Sequence, residues 1–290
     1  MKRLVPLPQD DAGNLDELSL NERLGSYPML ARQVDALKMR YREYAAGRGD
    51  PWEVAAPLPL PPALVEALKG HYANPPRCLG FLETLRTAGS PDVCAMCGSL
   101  KAGTLDHVFP KDVYPEFAIF APNLVPACDC NSKRGTRYRG LERGERTLHP
   151  YFDDVLARRL VYVGFSGNLN SPLATIKAIE LGLAAEELSA LRFHIESVLE
   201  RSSLLTWASE KWAAFCRDPE ALLLDLPAGA VTVEDVRRSV ERRLNGADRE
   251  HRTPNNWYSM VFYGVLHSED AVAYVRDSVD ATRRGELDLT

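Results

Sequence analysis

Two close cysteine pairs, Cys94-Ala95-Met96-Cys97 and Cys128-Asp129-Cys130, bracket the dipeptide Asp106-His107. Pairs at this spacing, in a chain with no secretory leader, read as a zinc site rather than a disulfide framework. The second pair has a one-residue spacer, which can reach one tetrahedral ion but forces a different backbone turn. Cys78 and Cys216 are the spare thiols, expected as small buried apolar residues. A rearranged site drawing on Cys78 is the alternative to the four clustered ligands. Asp106, His107 and Asn131 offer a second chemistry. A carboxylate and an amide oxygen can hold a hard divalent ion such as Mg²⁺ while leaving positions open for phosphate and water. An imidazole titrates near neutrality and can take a proton from water. Phosphodiester hydrolysis needs both. Neighbouring side chains alternate across a strand, so Asp106 and His107 can approach one phosphate only where the strand ends and bends.

The elements that would position these groups are short. A strand is expected over residues 103–108, a second over 123–127, and a polar helix from Asn131. Such a unit buries little apolar surface, and a metal staple substitutes for a core. Asn131 directly follows Cys130, so zinc there would fix it relative to Asp106.

Four segments together resemble the HNH endonuclease family in its zinc-stapled form: CxxCG at Cys94 to Gly98, LDHVFPK from Leu105, NLVPAC from Asn123 and CNSKRG from Cys130. They occur in order over roughly residues 78–152. The resemblance implies a ββα-metal core that cuts DNA, with Asp106 as metal ligand and His107 as general base. Asn123 would hold the loop and orient the base, and Asn131 would be the second ligand. Structural Zn²⁺ on Cys94, Cys97, Cys128 and Cys130 and catalytic Mg²⁺ or Mn²⁺ follow from it. The second pair is CxC where such sequences usually have CxxC. A stand-alone core with unrelated helical flanks suggests, by analogy, an anti-phage defence effector paired with an ATPase or sensor. The competing class is a non-catalytic zinc-bearing adaptor for nucleic acid or protein.

The formal net charge is −5, which argues against a nonspecific basic coat. Locally, Lys133, Arg134, Arg137, Arg139, Arg143 and Arg146 face only Glu142 and Glu145, a net of +4. Lys111, Lys133, Arg134, Arg137 and Arg139 are therefore the expected phosphate contacts, with Tyr138 available for stacking. His149 is either a packing histidine or an extra phosphate or metal contact. No apolar stretch approaches the ~20 residues of a membrane span, so a cytoplasmic protein is expected.

The chain as a whole reads as α+β and mostly helical, a ββα-metal core flanked by helical segments. An N-terminal helical arm is assigned to 1–77, the nuclease domain to 78–155 and a mainly helical domain to 156–290. The first twenty-five residues look loose, Ser26 is a candidate helix cap, and residues 51–62 form a proline-rich connector. Beyond the core, strands are expected at 160–165 and 173–179. One long helix should cover 186–216, and further helices should follow from Val233, Tyr258 and Glu269. This half carries apolar stripes but no cluster of ligand-type residues, and reads as a docking or regulatory part.

Overall fold

The computed structural model describes residues 1–87, 92–223 and 225–286. The fold is α+β and mostly helical, with two small antiparallel sheets. Strand β1 (Thr104–His107) pairs with β2 (Leu124–Ala127), Thr104 opposite Ala127 and His107 opposite Leu124. The loop between them, 108–123, folds inward because it is rich in large apolar residues: Phe109, Tyr114, Phe117 and Phe120 are all buried. They pack against helix α2 (Met29–Ala46), whose Leu30, Leu37, Tyr41 and Tyr44 form one buried face at helical spacing. Aromatic stacking thus ties the N-terminal segment to the loop that follows Asp106-His107.

Ahead of α2, the residues expected to be loose contain α1 (Asp11–Leu20), capped by Asp10 and buried through Leu15 and Leu18. Two apolar anchors per three turns give too faint a periodicity to read from sequence. Met1 is buried, and Lys2 N–H donates to Ala95 O at 3.0 Å. Ser26 caps nothing: its hydroxyl is buried against His71 Nε2 at 2.9 Å, and α2 starts without a side-chain cap. Helices α3 (Pro62–Ala73) and α4 (Phe81–Arg86) follow the proline-rich stretch. Helix α5 (Cys130–Arg134) is five residues long and stops at Gly135, whose φ of +61° lies in the left-handed region. The basic run beyond it is loop, with one bridge between Arg139 and Arg146.

After residue 160 a hairpin of β3 (Val161–Ser166) and β4 (Leu173–Ala178) forms as the sequence suggests. The single helix expected over 186–216 is broken into α6 (Ala185–His194), a π-turn (Ile195–Leu199) and α7 (Leu204–Arg217). Ser202 is the reason. Its hydroxyl donates to Leu199 O at 2.6 Å and accepts from Leu204 N–H at 3.2 Å, competing with the helical ladder. Next come α8 (Pro219–Leu222), α9 (Val233–His251) with its Thr232–Asp235 capping box, α10 (Trp257–Leu266) and α11 (Glu269–Arg283). α10 lies on β3 so closely that a Cβ on Gly264 would stand 1.7 Å from Val163 O. Among the described residues no helix is long and apolar enough to cross a membrane.

Candidate metal centre and adjoining cleft

The cysteine knuckle precedes β1, and its second pair lies between β2 and α5. All four thiols are buried. Their Sγ atoms lie within 4.8 Å of one another, with Cys94–Cys130 at 3.6 Å and Cys97–Cys128 at 3.5 Å. These separations are far beyond a disulfide bond of about 2.05 Å. Four sulfurs each about 2.3 Å from one ion would stand roughly 3.8 Å apart, so the group could hold a metal ion such as zinc. The four thiols are coupled through their shared contacts, so loss of a proton from one, stabilised by hydrogen bonds from its neighbours, makes the next harder to remove. Cys78 is half-buried and outside the group, so the alternative ligand set is not the one assembled.

The knuckle's carbonyls are met by residues from the C-terminal helices. His194 Nε2 contacts Met96 O at 2.8 Å, Trp257 Nε1–H donates to Cys97 O at 2.9 Å, and Trp257 N–H donates to Gly98 O at 3.1 Å. Gly98 has φ +82°, and a Cβ on it would fall 2.1 Å from Asn255 O. Only glycine fits there.

Beside the knuckle, between the end of β1 and the start of α5, a cleft of about 320 Å³ is lined by Asp106, His107, Lys111, Asn131, Arg134 and Tyr72, among others. His107 is the last residue of β1, which lets it and Asp106 reach one cleft despite being neighbours. Asp106 is 4% exposed. Its Oδ1 accepts from Arg134 at 2.7 Å, while its Oδ2 is buried with no partner. A buried carboxylate oxygen with nothing to bind is costly unless a cation or donor completes it. Asn131 is half-buried and turns Nδ2 toward Leu105 O and Thr104 Oγ1, each at 3.3 Å. Its Oδ1 has no protein donor within hydrogen-bonding distance among the described contacts. A carboxylate oxygen and an amide oxygen lining one cleft are oxygen donors of the type that hard divalent ions take.

His107 is buried, and its Nε2 contacts Ala118 O at 2.9 Å. A carbonyl can only accept, so Nε2 carries the hydrogen and Nδ1 keeps its lone pair. Burial, above all, pushes the pKa down to about 3, so the ring is neutral at pH 7. The ring of Tyr72 stands edge-on to it, centroids 4.4 Å apart, with the Tyr72 hydroxyl on Leu105 O. Asn123 is fully buried and clamps the loop at Phe109 and Phe117.

The basic residues divide. Arg134 is 1% exposed, and its guanidinium binds Asp106, His107 O and Arg137 O. It braces the carboxylate and is not the exposed phosphate contact expected. Lys133 pairs with Asp129 at 3.0 Å, Arg146 with Asp50 and Asp153, and Arg143 with Glu53. Arg137 and Arg139, both exposed, have no acidic partner among the described residues. Lys111 lies over the Tyr72 ring at the cleft rim. His149 lines no part of the cleft. It is buried against Tyr44, Tyr151 and Phe152, which matches the packing reading.

Tyr72, Tyr44 and the brace made by Arg134 were missed from sequence. A signal existed for Arg134, since three residues after Asn131 on a helix is the same face. None existed for Tyr72 or Tyr44, which arrive from helices far upstream. No family model matches the chain, and no solved structure matches it. Among curated proteins, protein ea31 of Escherichia phage lambda is 35% identical over 80 residues, which is 26% of this chain. The match spans 27% of that protein's length, so it is a partial likeness between two longer chains.

Proposed function

We propose that this chain is an HNH-type endonuclease that hydrolyses DNA phosphodiester bonds in the cleft between β1 and α5. Zinc on Cys94, Cys97, Cys128 and Cys130 would be its structural staple. The observation that carries this reading is the buried, partnerless Oδ2 of Asp106, sharing a cleft with the Asn131 amide and a neutral His107. Asp106 Oδ2 and Asn131 Oδ1 would hold Mg²⁺ or Mn²⁺, which supplies charge relief at the phosphate when bound. His107 Nδ1 takes a proton from water, while its Nε2–H stays on Ala118 O and keeps the ring in that tautomer. Arg134 neutralises one side of Asp106 and leaves the other for the ion. Lys111, Arg137 and Arg139 draw the DNA backbone toward the cleft.

The four-cysteine cluster would serve a non-catalytic adaptor equally well, but an adaptor has no use for a bare Oδ2 beside a fixed imidazole. The setting we propose is an effector acting beside an ATPase or sensor in anti-phage defence in the cytoplasm. Plasmid cleavage across Mg²⁺, Mn²⁺ and chelator tests the reading. Divalent-dependent cutting that is lost in Asp106→Ala, and lost less completely in Asn131→Ala, is expected. Cutting that persists in chelator or in Asp106→Ala would overturn it.

A further inference from the structure

Every hydrogen-bonding position of the Asn123 amide is used. Oδ1 accepts from Phe109 N–H at 2.7 Å and from the Tyr44 hydroxyl at 3.1 Å. Nδ2 donates to Phe109 O at 3.0 Å and Phe117 O at 3.1 Å. Tyr44 stands on α2, well before the knuckle, and its hydroxyl oxygen lies 3.0 Å from His149 Nε2. The proton positions along this chain of groups follow from one contact. The Tyr151 N–H donates to His149 Nδ1 at 3.2 Å, so Nδ1 is the lone-pair nitrogen and Nε2 carries the hydrogen. Burial keeps that ring neutral, its pKa pushed down to about 3. Nε2–H therefore lies between the Tyr44 oxygen and the Pro122 carbonyl, and the Tyr44 O–H donates onward to Asn123 Oδ1. The chain has one sense from end to end.

Its far end is the base. Asn123 Nδ2 grips Phe117 O, and the next residue is Ala118, whose carbonyl accepts from His107 Nε2–H. Both donors to Oδ1, Phe109 N–H and Tyr44 O–H, oppose a flipped amide. A flip would aim Nδ2–H at donors and Oδ1 at carbonyls. The near end is equally held. Tyr44 is fully buried among Phe109, Phe117 and Phe120, ring centroids 4.8, 4.9 and 5.3 Å away. A Cβ on Gly49, which has φ +65°, would stand 2.5 Å from His149 Cδ2, so the backbone itself seals that imidazole.

We propose that Tyr44 and His149 are positioning residues for His107: together with the Phe109 and Phe117 backbone they fix the sense of the Asn123 amide, and through it the Ala118 carbonyl that selects the His107 tautomer. Helix α2 is then part of the catalytic apparatus rather than a separate arm. The consequence for rate rests on the nuclease reading; the consequence for the tautomer does not.

The test uses the full zinc-loaded chain and the variants Tyr44→Phe, His149→Leu and His149→Gln. Glutamine can place an N–H near the Nε2 position, while leucine removes the donor. Two readings are taken: the His107 tautomer at pH 7 from its side-chain ¹⁵N signals, and kcat and KM for divalent-dependent DNA cleavage. Wild type should show Nε2–H alone. Tyr44→Phe and His149→Leu should show mixed tautomers and a kcat lowered by about 10- to 100-fold, the scale of a misplacement near 1 Å. KM should stay within about twofold. His149→Gln should recover most of what His149→Leu loses. A single, unchanged His107 tautomer in Tyr44→Phe would overturn the proposal, whether or not the rate falls. If wild type itself cuts nothing, the nuclease reading fails, and the tautomer comparison alone still decides the positioning claim.

Discussion

Around residues 94–134 four thiols, the Asp106–Arg134 ion pair and the Asn123 amide are buried beside apolar residues such as Phe109 and Phe117; from Val161 onward Val, Leu, Phe and Trp dominate, with a few buried polar groups such as Asn255 and Asn256. Sheet β1–β2 is four residues long on each strand, carries Asp106 itself, and is flanked by Cys94, Cys128 and Arg134. The β3–β4 sheet instead lies under α10 and beside α7, with Val161, Val163 and Phe165 facing apolar helix residues and Trp212 stacked on Phe165 at 4.7 Å. Among the described residues the four cysteines are the one group of His, Cys, Asp or Glu placed to share a metal. The first region can be specific in chemistry because the second is generic in packing. His194 and Trp257 hand that rigidity across, onto the carbonyls of Met96, Cys97 and Gly98.

The largest effect should come from the staple. Cys130→Ser should lose bound zinc and most soluble protein, since thiolate–zinc binding in small knuckles is worth on the order of 10 kcal/mol. Full zinc occupancy by elemental analysis in the double variant Cys94→Ser/Cys130→Ser would remove the assignment. The next pair contrasts the two regions at similar cost. Trp212→Ala should lose about 3–5 kcal/mol through a cavity, with zinc content unchanged. Arg134→Ala should lose a similar ~3–5 kcal/mol by stranding the Asp106 carboxylate, and Asp106→Asn in that background should restore part of it. Denaturant melts of the zinc-loaded proteins decide this. Additive losses for Arg134→Ala and Asp106→Asn would deny the pairing.

How much of this was legible follows the same division. The knuckle, the Asp-His pair and Asn131 are local in sequence, and the cysteine spacing survived its one-residue departure because β2 and α5 turn sharply at Asp129. The β3–β4 hairpin and the Thr232 cap were also visible, because alternation and capping boxes are short-range signals. The basic run misled. Its charges were real, but Glu53, Asp50, Asp129 and Asp153 consume three of them and Asp106 a fourth; Asp129 and Asp153 stand just outside the run, while nothing local announces Asp106, Glu53 and Asp50, 28 to 96 residues away. Tyr44 and Tyr72 were hidden for the same reason. Ser202 broke a helix whose apolar stripe ran on without interruption.

Acid should sharpen the comparison, because neutral histidines are buried at the knuckle (His194) and behind the Asn123 loop (His149). Burial lowers His149 to about 3 and His194 to about 4, from an ordinary 6.5. Between pH 6.5 and about 4 the unfolded chain holds those protons and the folded chain does not. Unfolding therefore takes up protons, and stability falls as pH falls, by about 1.4 kcal/mol per unit for each such histidine. Asp11 acts in the opposite sense: burial raises it from 3.8 to about 6, so it favours the fold as pH drops through that window. Urea midpoints from pH 7 to 4 should show the net loss, and His149→Gln should reduce the slope by about one proton. A flat profile would contradict the burial of these rings as neutral species.

Smaller still is the surface term. Arg137→Glu/Arg139→Glu should weaken DNA binding at low salt and flatten its salt dependence, each lost phosphate contact lowering the slope by about 0.9. Zinc content and cleavage at saturating DNA should hold. Loss of cleavage with binding intact would make these arginines catalytic.

The central claim is that His107 takes the proton from water in a cleft where other residues, Asp106 and Asn131 for the metal and Lys111, Arg137 and Arg139 for DNA, make the binding contacts. The direct measurement compares DNA cleavage with divalent-dependent DNA binding, side by side, for zinc-loaded wild type and His107→Ala. Loss of a general base costs on the order of 10²–10⁴-fold in rate, so cleavage should fall by that much while binding persists. Near-wild-type cutting by His107→Ala would contradict the account and leave the zinc-bearing adaptor as the better description.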